Sequence, residues 1–290
     1  MSDYLIRGVG ANNQFRVFAA TTTDLVEEAR RRHDTWPVTS AALGRALTAG
    51  LLLGANLKGD DLLTLRIFGD GPAGAIVVTA NASGEARGYV QEPHVDLPCT
   101  VEGKLPVGVA VGKGYLHVTK DMGLKEPFTG SIELESGEIG EDVARYLLTS
   151  EQTPSAVALG VLVAPDCKVK ASGGVMIQLF PDAEEDVLLH IEKSLKEMYP
   201  VSTLVDLGKT PEEIVALAVG DLQVRFLEKT PLKFKCGCSR EKVKDILAAM
   251  GKDEIVKIYQ EQDKAEVRCH FCGEIYNFDA GELKMMINDL

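Results

Sequence analysis

Four of the six cysteines lie near the end of the 290-residue chain, as Cys236-Gly237-Cys238 and, after thirty intervening residues, Cys269-His270-Phe271-Cys272. Two close thiol pairs separated by an insert of hairpin or helix size can meet at the corners of a tetrahedron, with metal–sulfur distances of about 2.3 Å. Four soft sulfurs favour zinc, which makes no geometric demand of its own. Gly237 permits the tight turn that aims both of its neighbours at one ion. The expected ligands are Cys236, Cys238, Cys269 and Cys272, around one zinc ion per chain. His270 is a rival donor, but four cysteines fill a tetrahedral shell and leave it at the surface or beside the ligands.

Such a centre admits two uses. A closed four-cysteine site commonly holds a small domain together, and the free energy of metal binding is then folding free energy. The same thiolates are nucleophiles, and an oxidant can convert each close pair to a disulfide, which no longer serves as a thiolate ligand. Spacing alone leaves both uses open. A metal-dependent enzyme needs a vacant coordination position, and four cysteines leave none.

The elements that must position these thiols fall into three stretches. Residues 231–290 are charge-balanced, with 10 Lys and Arg against 11 Asp and Glu, and a unit this small rarely folds on an apolar core alone. Residues 182–230 are acidic, with 11 acidic against 5 basic residues. Leu188, Ile191, Leu195 and Met198 recur there at helical spacing, and Thr210-Pro211-Glu212-Glu213 has the form of a capping box. This helical linker is short and charged, so its stability must come from a neighbouring surface. Residues 1–181 group strand-like runs at 62–68, 75–79, 156–163 and 175–180 between helical patterns at 24–33, 39–57 and 141–151, without a regular strand–helix alternation. The grouping predicts an α+β fold: a mixed α/β N-terminal domain with a sheet covered by helices, the linker, and a small C-terminal zinc-binding domain.

Composition removes several classes. A net charge of −12 disfavours nucleic acid and anionic membrane as partners of the whole chain. The apolar stretch 39–57 carries Arg45 and three glycines, which favours a buried helix over a membrane span. No signal-peptide pattern opens the sequence, so a cytoplasmic protein is expected. Gly69-Asp70-Gly71-Pro72-Ala73-Gly74 fits a phosphate-loop pattern only nominally, because a strand follows it where a helix is required; a hairpin turn is expected. The five histidines form no ligand set, and nothing argues for a catalytic triad. The chain is not expected to be an enzyme. Cys99 and Cys167 fall outside the metal pattern and are expected to be buried bystanders.

The cysteine pattern, together with Ser136-Gly137-Glu138-Ile139-Gly140-Glu141-Asp142, Ser150-Glu151-Gln152-Thr153-Pro154-Ser155, Arg31-Arg32-His33 and Ala42-Leu43-Gly44-Arg45, resembles the heat-shock protein 33 family over nearly the whole chain. The resemblance implies a redox-regulated, ATP-independent holdase chaperone, inactive while reduced and zinc-bound. It implies disulfides linking Cys236 with Cys238 and Cys269 with Cys272 on oxidation, release of zinc, and unfolding of the C-terminal domain and linker. It further implies a client-binding and dimerisation domain at 1–181, an oxidised homodimer, capture of unfolding proteins, and their hand-over to an ATP-dependent chaperone system. The rival reading is a structural zinc ribbon on a protein that binds RNA or a small molecule, without a redox switch.

Overall fold

The computed structural model describes residues 2–10 and 13–290. Among these it forms ten helices and thirteen strands. The chain divides into two compact units, Met1–Lys235 and Cys236–Leu290. The mixed α/β class expected from the sequence is the one the chain adopts.

Two sheets with a helix between them make the first unit. One has five strands in the order β10 (Val224–Pro231), β1 (Tyr4–Gly10), β2 (Phe15–Thr21), β9 (Val169–Leu179) and β8 (Ser155–Val163), all antiparallel to their neighbours. The other has six, in the order β11 (Lys233–Phe234), β5 (Glu85–Val90), β4 (Ala75–Asn81), β3 (Leu62–Gly69), β6 (Gly114–Asp121) and β7 (Phe128–Glu133). The glycine-rich stretch 69–74 is the turn between antiparallel β3 and β4, as expected.

Helix α2 (Pro37–Gly54) is apolar on nearly every side because it is enclosed on nearly every side. Its leucines share one core with Leu5, Phe18 and Met176 of the five-stranded sheet and Leu63, Leu65 and Ile67 of the six-stranded sheet. A Cβ at Gly44 would lie 2.6 Å from Val26 in α1 (Thr23–His33) and 2.9 Å from Val161 in β8, so glycine is what lets α2 pass between them. No helix among the described residues is long and apolar enough to cross a membrane. Short helices α3 (Val107–Val111) and α4 (Gly140–Thr149) complete this layer.

Strand β2 is apolar at successive positions because both its faces are covered. Phe18 and Ala20 face the α2 core, while Val17 and Ala19 belong to a second core with Tyr4, Ile6, Val175 and Ile177. That second core is closed by α5 (Glu185–Glu197), α6 (Val201–Asp206) and α7 (Pro211–Val219), through Val187, Ile191, Val201, Leu204, Ile214 and Val215. The acidic segment thus lies on a sheet face, each large apolar side chain it buries contributing about 1.5–3 kcal/mol. The capping box of α7 forms: Thr210 Oγ1 accepts from Glu213 N at 3.2 Å, and Glu213 Oε2 accepts from Thr210 N at 2.9 Å. Helix α5 has no side-chain cap and buries only Val187 and Ile191.

Strand β10 lies within the segment read as helical. Arg225, Glu228 and Lys229 disguise it, because an edge strand draws its stability from backbone pairing and uses charges to keep other chains off its open side. It pairs with β1 through a bulge between Arg7 and Gly8, with Arg7 bonded to Glu228 at 2.6 Å and the Lys229 ammonium 3.5 Å over the Tyr4 ring.

The second unit contains α8 (Arg240–Ala249), α9 (Lys252–Gln262), a hairpin of β12 (Ala265–Arg268) and β13 (Ile275–Phe278), and α10 (Ala280–Asp289). Its buried apolar cluster consists of Val243, Leu247, Ile255, Ala265, Phe278, Leu283 and Met286. So small a core cannot offset the ordering of the unit by itself. The Arg240 guanidinium fastens α8 to the end of the chain, donating to both Glu282 carboxylate oxygens at 2.7 and 2.8 Å and lying 4.5 Å from the Phe278 ring centre.

Candidate metal centre

The two cysteine pairs meet in the second unit through different local devices. Cys236 and Cys238 lie just ahead of α8, whose cap Ser239 accepts from Lys242 N at 3.3 Å. Lys242 Nζ donates to the Gly237 carbonyl at 2.6 Å and fixes the turn between the two thiols. Cys269 and Cys272 occupy the turn from β12 to β13, which is closed by Cys269 N donating to Glu274 O at 2.9 Å and Gly273 N donating to Cys269 O at 2.8 Å. Gly273 has φ of +71°, a backbone state that costs glycine little.

All four Sγ atoms lie within 4.8 Å of one another. Two short approaches run between the pairs, Cys236 to Cys269 at 3.8 Å and Cys238 to Cys272 at 3.4 Å. A tetrahedral ion with sulfur ligands at about 2.3 Å separates those ligands by about 3.8 Å, so the observed spacing suits such an ion. Cys272 is buried and the other three are half-buried. Burial pushes the Cys269 and Cys272 thiols up from the ordinary thiol range; a dication reverses that preference, because it binds the thiolate. The donor chemistry and the spacing together show that this cluster can hold a metal ion.

One neighbour carries no sequence signal. The Tyr276 hydroxyl donates to Cys238 Sγ at 3.1 Å, and this bond raises the phenol from its ordinary value. Tyr276 follows Cys272 on β13, and only the pairing of β13 with β12 carries it back to the sulfurs. His270 is exposed and lies outside the four-sulfur cluster.

Cys99 and Cys167 belong to the first unit and are not members of this cluster, and both are exposed, which corrects the expectation that they are buried. Cys99 lies in the long connection from β5 to α3, and Cys167 at the tip of the β8–β9 hairpin with φ of +64°. Connections of this kind run over the surface, where a thiol finds no core to enter.

A family model described as Hsp33 protein matches residues 3–279. The 33 kDa chaperonin of Desulforamulus reducens is 57% identical over 287 residues, covering 99% of this chain and 98% of that protein. The 33 kDa chaperonin of Geobacillus kaustophilus is 50% identical, also over 287 residues and with the same coverage. Among solved structures, the 33 kDa chaperonin (heat shock protein 33 homolog) of Thermotoga maritima superposes with a TM-score of 0.94 at 35% identity, covering 100% of this chain and 99% of that one.

Proposed function

The chain belongs to the Hsp33 family of chaperones, and from that premise we propose that it is a redox-regulated holdase, idle while Cys236, Cys238, Cys269 and Cys272 hold zinc and active once they are oxidised. The observation that carries the reading is four sulfurs within 4.8 Å of one another in a unit with a minimal apolar core. Zinc, when bound, supplies the positive charge that keeps four crowded sulfurs ionised and together.

Oxidation consumes two thiols and one peroxide for each disulfide. One thiolate attacks a peroxide oxygen, breaking the O–O bond, forming a sulfenic acid and releasing hydroxide, which takes a proton from solvent to become water. Its partner thiolate displaces the sulfenic hydroxyl as a second hydroxide, likewise protonated by solvent, forming the S–S bond. We assign the bonds to Cys236 with Cys238 and Cys269 with Cys272, as the family resemblance implies; each closes a loop of only a few residues. Once the sulfurs are consumed, Cys236–Leu290 retains only its small core and melts. The molten stretch is joined to β11, which pairs with β5 through just two residues. Fraying of β11 and β10 then leads to α5–α7, the helices that cover the second core, of which α5 is anchored by only Val187 and Ile191. Their departure exposes Tyr4, Ile6, Val175 and Ile177, apolar surface that holds unfolding proteins without ATP.

In this reading the three working segments are 1–181, 182–230 and 231–290. The protein acts in the cytoplasm, the oxidised form pairs as a homodimer, and clients pass to an ATP-dependent chaperone when reducing conditions return. It carries out no enzymatic reaction. The test is aggregation of a heat-denaturing client in the presence of reduced and of peroxide-treated protein. Suppression by the treated form alone is expected, and equal suppression by both forms rejects the switch.

A further inference from the structure

Residues 231–235 carry the chain from one sheet to the other. Pro231 ends β10 on the five-stranded sheet, and Leu232 N donates to Asp3 O at 3.0 Å. Lys233 and Phe234 then form β11 at the edge of the six-stranded sheet, parallel to Glu85 and Ala86 of β5. Lys233 N donates to Gly84 O at 3.0 Å and Lys235 N to Ala86 O at 2.9 Å. Gly84, with φ of +76°, admits the crossing, because a Cβ there would lie 2.3 Å from the Pro231 carbonyl oxygen.

Two backbone bonds to β5 are a slight hold for a segment so placed: Cys236 follows it directly, and β10 and the covering helices α5–α7 precede it. Side chains reinforce it on both faces. Leu232 and Phe234 pack against the α2 core, and the Arg32 guanidinium lies 5.6 Å from the Phe234 ring centre. Lys233 and Lys235, two residues apart on an extended chain, share the opposite face. Both reach Glu85 Oε1, at 3.1 and 2.7 Å. The bond from Lys235 holds the Glu85 carboxyl well below the usual carboxylate range, so its charge persists throughout the physiological pH range. The two lysine side chains are 60% and 53% exposed, which leaves the pairs open to screening. From about 0.1 M to about 1 M salt the Debye length falls from about 10 Å to about 3 Å.

We infer that Glu85, gripping Lys233 and Lys235, is a charge clasp that halts melting of Cys236–Leu290 at Lys235, so that release of α5–α7 is set by ionic strength as well as by oxidant. Glu85 is a positioning residue, acting on the covering helices only through β11 and β10. Exposed ion pairs contribute little singly, so one carboxylate shared by two ammonium groups changes the release rate by several-fold rather than by orders of magnitude. The inference rests on the proposed metal switch and adds a second input to it.

The test oxidises the full-length zinc-loaded chain with peroxide, follows zinc release with a chromophoric chelator, and reads hydrogen exchange of α5–α7 by mass spectrometry in about 0.1 M and about 1 M sodium chloride. In the parent, exchange after zinc release should be about fivefold faster at the higher salt. Glu85→Gln should exchange as fast at low salt as the parent does at high salt, and should lose the salt dependence, with the rate of zinc release unchanged. Lys233→Gln combined with Lys235→Gln should behave alike, from the other side of the pair. Charge reversal, Glu85→Lys with Lys233→Glu and Lys235→Glu, should restore both the slow exchange and its salt dependence, which a merely steric role for Glu85 would not. Salt-independent exchange in the parent, or parent rates in both neutral variants, overturns the clasp; with α5–α7 still opening once zinc has gone, the metal switch stands. Helices α5–α7 that stay protected in every form after full zinc release overturn the clasp and the switch together.

Discussion

The hydroxyl of Tyr276 donates a hydrogen bond to the sulfur of Cys238 across 3.1 Å, joining β13 to the turn that precedes α8. Groups that bond to a metal's ligands hold them in place, and removing one commonly lowers metal affinity about 10–100-fold. Tyr276→Phe keeps the ring and deletes the donor. Zinc affinity, measured by competition with a chromophoric chelator, should fall within that range while the helical circular dichroism of the loaded protein is unchanged.

Removing a ligand goes further. Cys269→Ser leaves three sulfurs on a unit with seven buried apolar residues, so Cys236–Leu290 should become protease-sensitive without any oxidant. Limited proteolysis at equal zinc should cut the variant at least about tenfold faster within this unit. Parent-like cutting would show that the cluster does not hold the unit together.

The cysteine pattern was legible because its meaning is local: ligand pairs one and two residues apart survive any arrangement of the rest. The α7 capping box and the turn at 69–74 were legible for the same reason. Helix α2 was legible as a buried helix, although only the structure shows that two sheets enclose it. Strand β10 was not, since Arg225, Glu228 and Lys229 give it neither alternation nor an apolar run, and its partner β1 lies more than two hundred residues away in sequence. Tyr276 was hidden likewise, because a hairpin register rather than a motif brings it to Cys238. The exposure of Cys99 and Cys167 depended on loop placement, which residue type does not determine.

A pH dependence follows from Asp3, which precedes β1. Its Oδ2 accepts from Leu25 N at 2.8 Å at the start of α1, while Oδ1 is buried without a partner. Burial pushes this carboxyl up from 3.8 to about 7, with the nearby Asp24 carboxylate adding to the rise and the Leu25 bond opposing it. The folded state therefore holds a proton that the unfolded chain releases near pH 4. The stabilisation from this group is complete below pH 4 and is lost as pH rises through about 7. Asp3→Asn keeps the acceptor and removes the ionisation. Urea unfolding of the first unit should show the variant gaining on the parent by up to about 4 kcal/mol between pH 4 and pH 8, and a difference that does not vary with pH would contradict the burial argument.

The central claim is that a metal held by four sulfurs keeps the C-terminal unit folded and the chaperone idle. It is tested most directly by recording zinc release and client capture in one sample on a single peroxide time course. The account predicts that capture rises only after zinc has left, and falls again when a dithiol reductant and zinc are restored. Full zinc release with no gain in capture, or full capture while zinc is still bound, would contradict it.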